Sequence, residues 1–270
     1  MPANRKAGLE VEGTEMSNLR AITLGAALLA GSVTAASAAD LARGSIKDGY
    51  VPVGPAYSSP MTWYGRIDGG FARYDDTIMV EHSRYDLHTS EIDSTWGLGA
   101  GVGYYFSKNV RADITWDHRF ETDARGTMGI GGGFPFDGGT RNFGLKSDVF
   151  LANIYYDFDL RSRFTPYIGM GIGTARNTTT AGSVTDLCGC TGTVEGASEW
   201  SVAGSLMSGF SFAMRDRLHL DAGYRYLYLG DAKTGQITGT GASVGTNSGS
   251  IAIQDITSHE FRVGLRYDIR

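Results

Sequence analysis

The chain has 270 residues, of which 39 are glycine and 6 are proline, and its formal net charge is −5 at pH 7. This length allows one large domain or two small ones, and the glycine content favours strands and turns over helices. Because the balance is acidic and no run of lysine or arginine occurs, the sequence lacks the positive surface that nucleic-acid binding requires, and we exclude that class of partner.

The N-terminal region has the features of a secretory signal peptide. A positively charged start precedes an apolar run over 21–30, and small residues then form an A-x-A cleavage site at 36–38. The apolar run is too short to span a bilayer as a helix. We therefore predict an upstream extension or mis-assigned start over 1–15, a signal peptide over 16–38 and export of the mature chain. The alternative is a cytoplasmic tail on a membrane anchor.

A proline-rich leader and a series of strands follow. Residues 39–61 contain Pro52, Pro55 and Pro60, so we predict an extended periplasmic leader that cannot join a sheet. From residue 62 to the end, apolar positions alternate with polar or glycine positions, and a period of two indicates strands. Eight strands are predicted, over 63–74, 95–106, 110–120, 148–158, 165–175, 199–212, 218–229 and 258–270.

The connections between these strands are alternately long and short. In an antiparallel up-and-down meander, successive connections lie at opposite ends of the strands, so all the long loops share one end and all the tight turns share the other. The long loops are rich in polar residues or glycine, and we predict no strand in them. The predicted loops are 76–94, 121–147, 176–198 and 230–255, and the predicted turns are 107–109, 159–164 and 214–217.

Each predicted strand has one apolar, aromatic face and one face of glycine, small polar residues and charges. A soluble barrel turns the apolar face inward, whereas a membrane barrel turns it towards lipid. Three features favour the membrane barrel, together with the export signal. Arginine (19) outnumbers lysine (5), no lysine falls within a predicted strand, and arginine suits charges paired in a confined space. The charged face carries many glycines, which leave room in a narrow lumen, and aromatic residues border the apolar face. The predicted aromatic girdle comprises Trp63, Tyr104, Trp116, Tyr156, Trp200, Tyr226, Tyr228 and Tyr267.

The opposite face carries charges of both signs in equal number. We count seven acidic and seven arginine residues at lumen positions, Arg73 and Asp268 among them. An eight-stranded barrel is only just wide enough for side chains to fill it, and a selectivity ring would carry an excess of one sign. We predict a closed, salt-bridged lumen, with a narrow channel as the alternative. The predicted network comprises Arg66, Asp68, Arg111, Asp113, Asp117, Arg119, Asp157, Asp221, Arg225, Glu260, Arg262 and Arg266.

The histidines do not form a predicted catalytic set. Ser258 and His259 are adjacent in one strand and point to opposite faces, and His118 shares the lipid-facing register. His219 faces the lumen near Asp221, where it fits the charge network. Because no nucleophile and base are brought within hydrogen-bond reach, we predict no enzymatic activity.

The loops offer weak candidates for metal, haem or disulfide chemistry. His82 and His88 could bind a metal or haem with Asp86, but loop histidines are more often solvated, and we predict neither metal nor cofactor. Cys188 and Cys190 are the only cysteines and lie in an exported loop. Two thiols alone make an incomplete metal site. We favour a local disulfide, although a one-residue gap makes a strained ring, and an intermolecular bond is the alternative.

Three segments carry a resemblance to a known class of proteins. The segments WGLGAGVGYYF (96–106), LHLDAGYRYLYLGD (218–231) and HEFRVGLRYDI (259–269), with the signal peptide, resemble small outer-membrane β-barrel proteins of Gram-negative bacteria. The likeness is to the surface-antigen type, related to opacity proteins and the OmpA membrane domain, and it covers residues 60–270. Arg270 departs from the aromatic residue with which many members end.

This resemblance implies a location, partners and a role. We expect a barrel in the cell outer membrane with four extracellular loops and three periplasmic turns. The implied partners are outer-membrane lipid, lipopolysaccharide, the outer-membrane assembly machinery, and a host or surface ligand bound through the loops. The implied role is structural or in surface interaction, as an antigen or adhesin-like protein. A narrow porin-like channel is the first alternative and a lipid-modifying enzyme the second.

Overall fold

The computed structural model describes residues 62–81, 85–129, 137–186, 190–239 and 249–269. The predicted signal peptide and leader lie outside this part of the chain. No helix within it is long and apolar enough to cross a bilayer. Its strands, in chain order, are β1 (Trp63–Tyr74), β2 (Ile78–Glu81), β3 (Tyr85–Ile92), β4 (Thr95–Tyr105), β5 (Val110–Gly129), β6 (Asp137–Asp157), β7 (Phe164–Thr179), β8 (Gly182–Asp186), β9 (Thr191–Val194), β10 (Ala197–Arg215), β11 (Leu218–Lys233), β12 (Ile237–Gly239) and β13 (Ile251–Ile269).

Eight long strands close into an antiparallel barrel, which confirms the predicted fold class. The ring runs β1–β4–β5–β6–β7–β10–β11–β13 and back to β1. It closes where Trp63 pairs with Ile269 at one end and Tyr74 pairs with Ser258 at the other. Because the ring is closed, backbone hydrogen bonds along the barrel are made between neighbouring strands and no edge is left. We call the end with the tight turns the turn end and the other the loop end.

The outer surface of the barrel is apolar, as the alternation predicts. Ile114 is 66% exposed, whereas the next residue, Thr115, is 5% exposed and faces the lumen. The glycines of the inner face make room for larger neighbours. A Cβ at Gly103 would collide with the ring of Tyr64, and one at Gly171 would collide with the amide of Asn153. Glycine in these strands is therefore required by the packing of the narrow lumen.

The long connections contain more strand than the sequence predicts. β5 and β6 extend far into the predicted loop 121–147, and the other three predicted loops contain short strands: β2 and β3, β8 and β9, and β12. The reason is a set of register shifts. Between Arg119 and Thr122 the ladder with β6 shifts, so that buried positions change from odd to even numbers. A bulge of this kind interrupts the period of two, and the strand beyond it no longer matches the pattern.

These additional strands build a second wall on top of the barrel, which we call the loop-end extension. In it, β2 and β3 fill the gap between β13 and β5, while β8, β9 and β12 continue from β6. Its interior is mainly apolar and continuous with the upper lumen, and it also holds a buried ion pair, in which Arg141 Nε lies 2.8 Å from Glu81 Oε2. Fully buried or nearly fully buried residues of the extension include Met79, Phe143, Val184, Val194, Ile237, Ile251, Ile253 and Ile256.

Candidate functional site

The turn-end half of the lumen is filled by paired charges. The guanidinium of Arg266 donates to both carboxylate oxygens of Asp221, at 3.0 and 3.1 Å, and also to Ser211 at 2.7 Å. Arg111 Nε lies 3.0 Å from Asp157 Oδ2. These side chains are almost completely buried. Two parallel hydrogen bonds to one carboxylate are the geometry for which arginine is suited, and they fix both partners in the lumen.

A larger cluster lies nearer the loop end. Arg225 bridges two carboxylates, with Nη1 2.8 Å from Asp117 Oδ2 and Nη2 2.6 Å from Glu260 Oε2. Arg119 and Arg262 also contact Glu260, and Arg262 contacts Asp117. Three arginines from β5, β11 and β13 therefore meet on shared acidic partners. Such a cluster ties together strands that lie on different sides of the barrel.

Polar groups complete the network between these two sets. Arg66 Nη2 lies 3.1 Å from Asp68 Oδ2, and its Nη1 lies 3.2 Å from Asp113 Oδ2. Asp113 also accepts hydrogen bonds from Asn153 Nδ2 at 2.8 Å and from the Tyr155 hydroxyl at 3.3 Å. The twelve residues predicted for the network therefore all lie at lumen positions and contact one another in the groups described.

One detail of the predicted lumen is wrong. Arg73 is exposed on the outer surface, because odd-numbered residues of β1, such as Phe71, point outward. His219 faces the lumen and belongs to the charge network, as predicted; its Nε2 lies 3.1 Å from Asp268 Oδ2, whereas Asp221 is held by Arg266. In the described part of the barrel the lumen thus carries seven acidic residues against six arginines, with His219 as the remaining basic partner.

Two small cavities lie among these side chains. One cavity, lined by Arg66, Thr115 and Asn153 among others, leaves about 20 Å³ for the centre of a water molecule, and another beside Arg119 leaves about 10 Å³. Each has room for about one water molecule. Towards the loop end, lumen positions become apolar, and residues such as Leu227 are fully buried. The lumen is therefore closed by charge pairs at one level and by apolar packing at the next.

The exposed aromatic residues of the barrel form two bands. At the turn end, the rings of Trp63 and Tyr104 are 5.2 Å apart. At the loop end, the rings of Phe150 and Trp200 are stacked at 6.1 Å. Aliphatic residues such as Ile114 lie between the bands, and we infer that this zone faces the acyl chains. The predicted girdle divides into Trp63, Tyr104, Tyr156 and Tyr267 at the turn end and Trp116, Trp200, Tyr226 and Tyr228 at the loop end.

Beyond the loop-end band, outward-facing residues become polar, and one group of them, on β6, β8, β9 and β12, is uncharged. Three pairings connect its strands: Asn142 with Ser183, Ser183 with Thr193, and Thr193 with Thr238. The Oγ1 atoms of the last pair are 3.1 Å apart. We call this exposed surface the hydroxyl face, and it consists of Thr140, Asn142, Ser183, Thr185, Thr191, Thr193 and Thr238.

The sequence alone does not identify the hydroxyl face, because it predicts a loop over 176–198. A signal was present, since Ser183 and Thr185, and then Thr191 and Thr193, are each separated by one residue. Hydroxyl residues at alternate positions are typical of one face of a strand. The segments are short, however, and only their pairing with β6 and β12 makes them a surface.

The remaining predicted loop sites lie mostly outside the described residues. This holds for Cys188, His82, and the side chains of Asp86 and His88. Cys190 is disulfide-bonded. Within the described ranges, no group of three or more histidine, cysteine or acidic side chains is placed to hold a metal ion.

Comparison with known proteins gives several matches. The family described as Opacity family porin protein matches residues 102–250. The outer membrane protein PagN of Salmonella typhimurium is 30% identical over 194 residues, which cover 70% of this chain and 78% of PagN. An uncharacterized protein of Brucella abortus is 27% identical, covering 88% of this chain and 94% of its own. A candidate adhesin of Rickettsia prowazekii is 28% identical, covering 77% and 87%.

These matches agree with the geometry of the barrel. An apolar outer surface between two aromatic bands is the arrangement that a bilayer requires of a membrane-spanning sheet. The long connections accordingly lie on the extracellular side and the tight turns in the periplasm, as predicted. The chain belongs to the opacity family of porin proteins and is a β-barrel of the bacterial outer membrane.

Proposed function

We propose that this protein is an adhesin-like surface-interaction barrel, which holds the loop-end extension outside the cell as a rigid binding platform. One observation carries the proposal. The lumen is filled by paired charges and apolar side chains, while the strands continue beyond the loop-end band into an ordered sheet whose apolar core is continuous with that of the upper lumen. The parts of the protein that can meet another molecule are therefore on the outside of the extension.

The hydroxyl face is the best candidate for the contact surface. The centre of a protein interface is generally depleted of charged residues. The seven residues of the hydroxyl face carry none, and charged residues border it, since Arg125 of β5 pairs with Asn142 and the exposed Glu195 follows Thr193 at the next outward position. Its hydroxyl and amide groups both donate and accept hydrogen bonds. We propose that it binds a polar, uncharged surface ligand on a host or neighbouring cell.

A channel function has less support, although the family is described as one of porins. A pore must offer a continuous wet path, with selectivity set by rings of charge or by constrictions. The cavities described above hold about one water molecule each, and the charges around them are neutralised in pairs. We therefore propose that diffusion through the barrel is not the main role of this protein.

We also propose that the protein is not an enzyme. Three histidines in the described residues have carboxylate partners. His118 Nδ1 lies 2.7 Å from Asp148 and His259 Nε2 lies 3.1 Å from Asp75, both on the outer surface, and His219 is buried beside Asp268. The other ring nitrogen of His259 contacts the phenol of Tyr224 rather than a serine or cysteine. Ser258 is fully buried on the opposite side of the strand, as expected.

Contacts with the surrounding membrane belong to the same proposal. Arg73 and Arg176 point outward at the loop-end aromatic band, where Arg176 pairs with Trp200, and Lys146 points outward just beyond it. We infer that these cations lie at the level of the phosphate groups of lipopolysaccharide. Cations at this height attract anionic head groups. We propose lipopolysaccharide as a partner on this basis, and the outer-membrane assembly machinery because a closed barrel must be inserted as a folded sheet.

Adherence measurements test the proposal. We expect Thr191→Glu with Thr193→Glu to reduce attachment of expressing bacteria to host cells by roughly tenfold, because buried unpaired charges at the centre of an interface are costly. The matched control is Ala252→Glu with Gln254→Glu, which adds the same charges to outward positions of β13 on another side of the extension. Both variants must reach the surface at the wild-type level. Equal attachment by the two variants would reject the hydroxyl face as the binding surface.

A further inference from the structure

The turn end carries a group of arginines in two neighbouring turns. One turn joins β6 to β7 and the other joins β10 to β11, and they are adjacent because β7 pairs with β10. The contact extends into the turns themselves, since Ala213 N donates to the carbonyl of Arg163 at 3.0 Å. We call the group the turn-end arginine cluster, and it consists of Arg161, Arg163, Arg215 and Arg217.

These arginines differ from those of the lumen. Six lumen arginines lie within 4.0 Å of an acidic side chain, whereas none of the four turn-end arginines forms such an ion pair within the described part of the chain. The two turns contain only Asp159 and Asp216 as acidic residues, and Asp159 Oδ1 accepts a hydrogen bond from the backbone N–H of Arg161 at 2.9 Å. The protein as a whole is acidic, so these two turns carry a local excess of positive charge.

Exposed apolar side chains lie directly beside the cluster. Leu160 is 61% exposed, Phe164 53% and Met214 50%. The rings of Phe164 and Phe212 are 4.9 Å apart and belong to the turn-end aromatic band. Aromatic bands mark the level at which acyl chains meet head groups. The arginines therefore lie at head-group height, with apolar side chains below them.

The first of the two turns is held in a defined shape. Ser162 Oγ donates to the carbonyl of Phe164 at 2.8 Å and accepts from the N–H of Phe164 at 3.1 Å. Arg161 has a φ of 53°, in the left-handed region that favours glycine. The chain thus has an arginine side chain at a position where glycine would be less strained. Its guanidinium is presented by an ordered turn.

We propose that the turn-end arginine cluster is a binding site for an anionic phospholipid of the inner leaflet. Guanidinium groups recognise phosphate through paired hydrogen bonds. A phospholipid supplies both chemistries found here, a phosphate for the arginines and acyl chains for Leu160 and Phe164. A periplasmic protein or a cell-wall polymer would use the charges but would not account for apolar side chains in the membrane zone. The site goes beyond the extracellular role proposed above and does not depend on it.

Quenching of tryptophan fluorescence by brominated lipids measures which lipid is next to the cluster. The chain has four tryptophans, at 63, 96, 116 and 200. One reporter protein keeps only Trp63, and the second carries Phe164→Trp with all four native tryptophans changed to phenylalanine. Both reporters lie in the turn-end band, but β1 and β7 are four strands apart around the ring. Each is reconstituted in phosphatidylcholine vesicles that contain brominated phosphatidylglycerol or brominated phosphatidylcholine at equal mole fraction.

We expect the reporter at position 164 to be quenched about twofold more by phosphatidylglycerol than by phosphatidylcholine, and Trp63 to be quenched equally by both. Changing the four turn-end arginines to glutamine should abolish the difference. A control variant with Arg73, Arg125, Arg176 and Lys233 changed to glutamine removes four outward cations at the loop end and should retain it. The informative case is the position-164 reporter that retains all four turn-end arginines and its full strand content. If both lipids quench this reporter equally, the proposal is overturned and a periplasmic partner is favoured.

Discussion

Changing Arg266 to leucine is expected to destabilise the folded barrel by about 3 to 5 kcal/mol, which is the cost of leaving a buried carboxylate without its partner. Asp221 is 5% exposed, and both of its oxygens accept from Arg266. Asp221→Leu should cost a similar amount, since Arg266 would then keep only neutral partners such as Ser211. Urea unfolding of each variant in lipid vesicles measures the free energy of unfolding.

The double variant Arg266→Leu with Asp221→Leu is the control for this prediction. Replacing both members of a buried ion pair by apolar residues is often close to neutral, because both desolvation penalties are removed together. The loss in the double variant should therefore be clearly smaller than the sum of the two single losses. Additive losses would show that each residue acts alone, and the lumen would then not be held by paired charges.

A second large effect is expected on the outer surface. Ile114→Arg should cost roughly 2 to 4 kcal/mol in folding titrations into lipid vesicles, because it places a charge against lipid near the middle of the bilayer. Ile114 is exposed and lies between the two aromatic bands. Gln254→Arg is the matched control, since Gln254 is also exposed on a barrel strand but lies in the extension, in water. Its cost should be close to zero.

The informative quantity is the difference in free-energy cost between Ile114→Arg and Gln254→Arg. If the apolar outer surface faces lipid, the free-energy cost of an introduced arginine must depend strongly on its height along the strand. That cost falls to about 0 to 1 kcal/mol near the interfaces. If both substitutions cost the same, the exposed apolar surface of the barrel is not in contact with acyl chains, and the assignment of the two aromatic bands to the bilayer interfaces is wrong.

Much of the barrel could be predicted from the sequence, because burial in a sheet with two different faces imposes a period of two. Within the membrane zone, the predicted lipid-facing and lumen-facing positions of β4, β5 and β13 agree with the structure. The period was lost where the ladder shifts register, between Arg119 and Thr122 and again between Tyr228 and Ala232. Beyond these points, pairing with distant strands decides which side chains face inward. The local sequence pattern carries no information about that pairing.

The candidate sites also divide into features that the sequence pattern predicts and features that depend on distant pairing. The lumen charges were predictable as a set, since charged residues at alternate positions of a membrane strand must face inward. Their partners were not, because Arg225 meets Asp117 across the lumen at a sequence separation of 108 residues. Arg73 was wrongly assigned to the lumen because it was counted as a charge without checking which face its position in the alternation gives it.

The lysines differ from their prediction in a similar way. Lys146 and Lys233 lie in strands, contrary to the prediction, but at the loop ends of those strands, beyond the aromatic band.

The central claim is that a closed barrel holds an ordered extension outside the cell. Labelling of single cysteines on intact bacteria with a membrane-impermeant maleimide tests it most directly, because Cys190 is disulfide-bonded and should not react. Thr193 and Lys108 are both exposed, one on the hydroxyl face and one in the first tight turn. We expect Thr193→Cys to be labelled on intact cells and Lys108→Cys only after the outer membrane is permeabilised. Labelling of Lys108→Cys alone on intact cells would contradict the account.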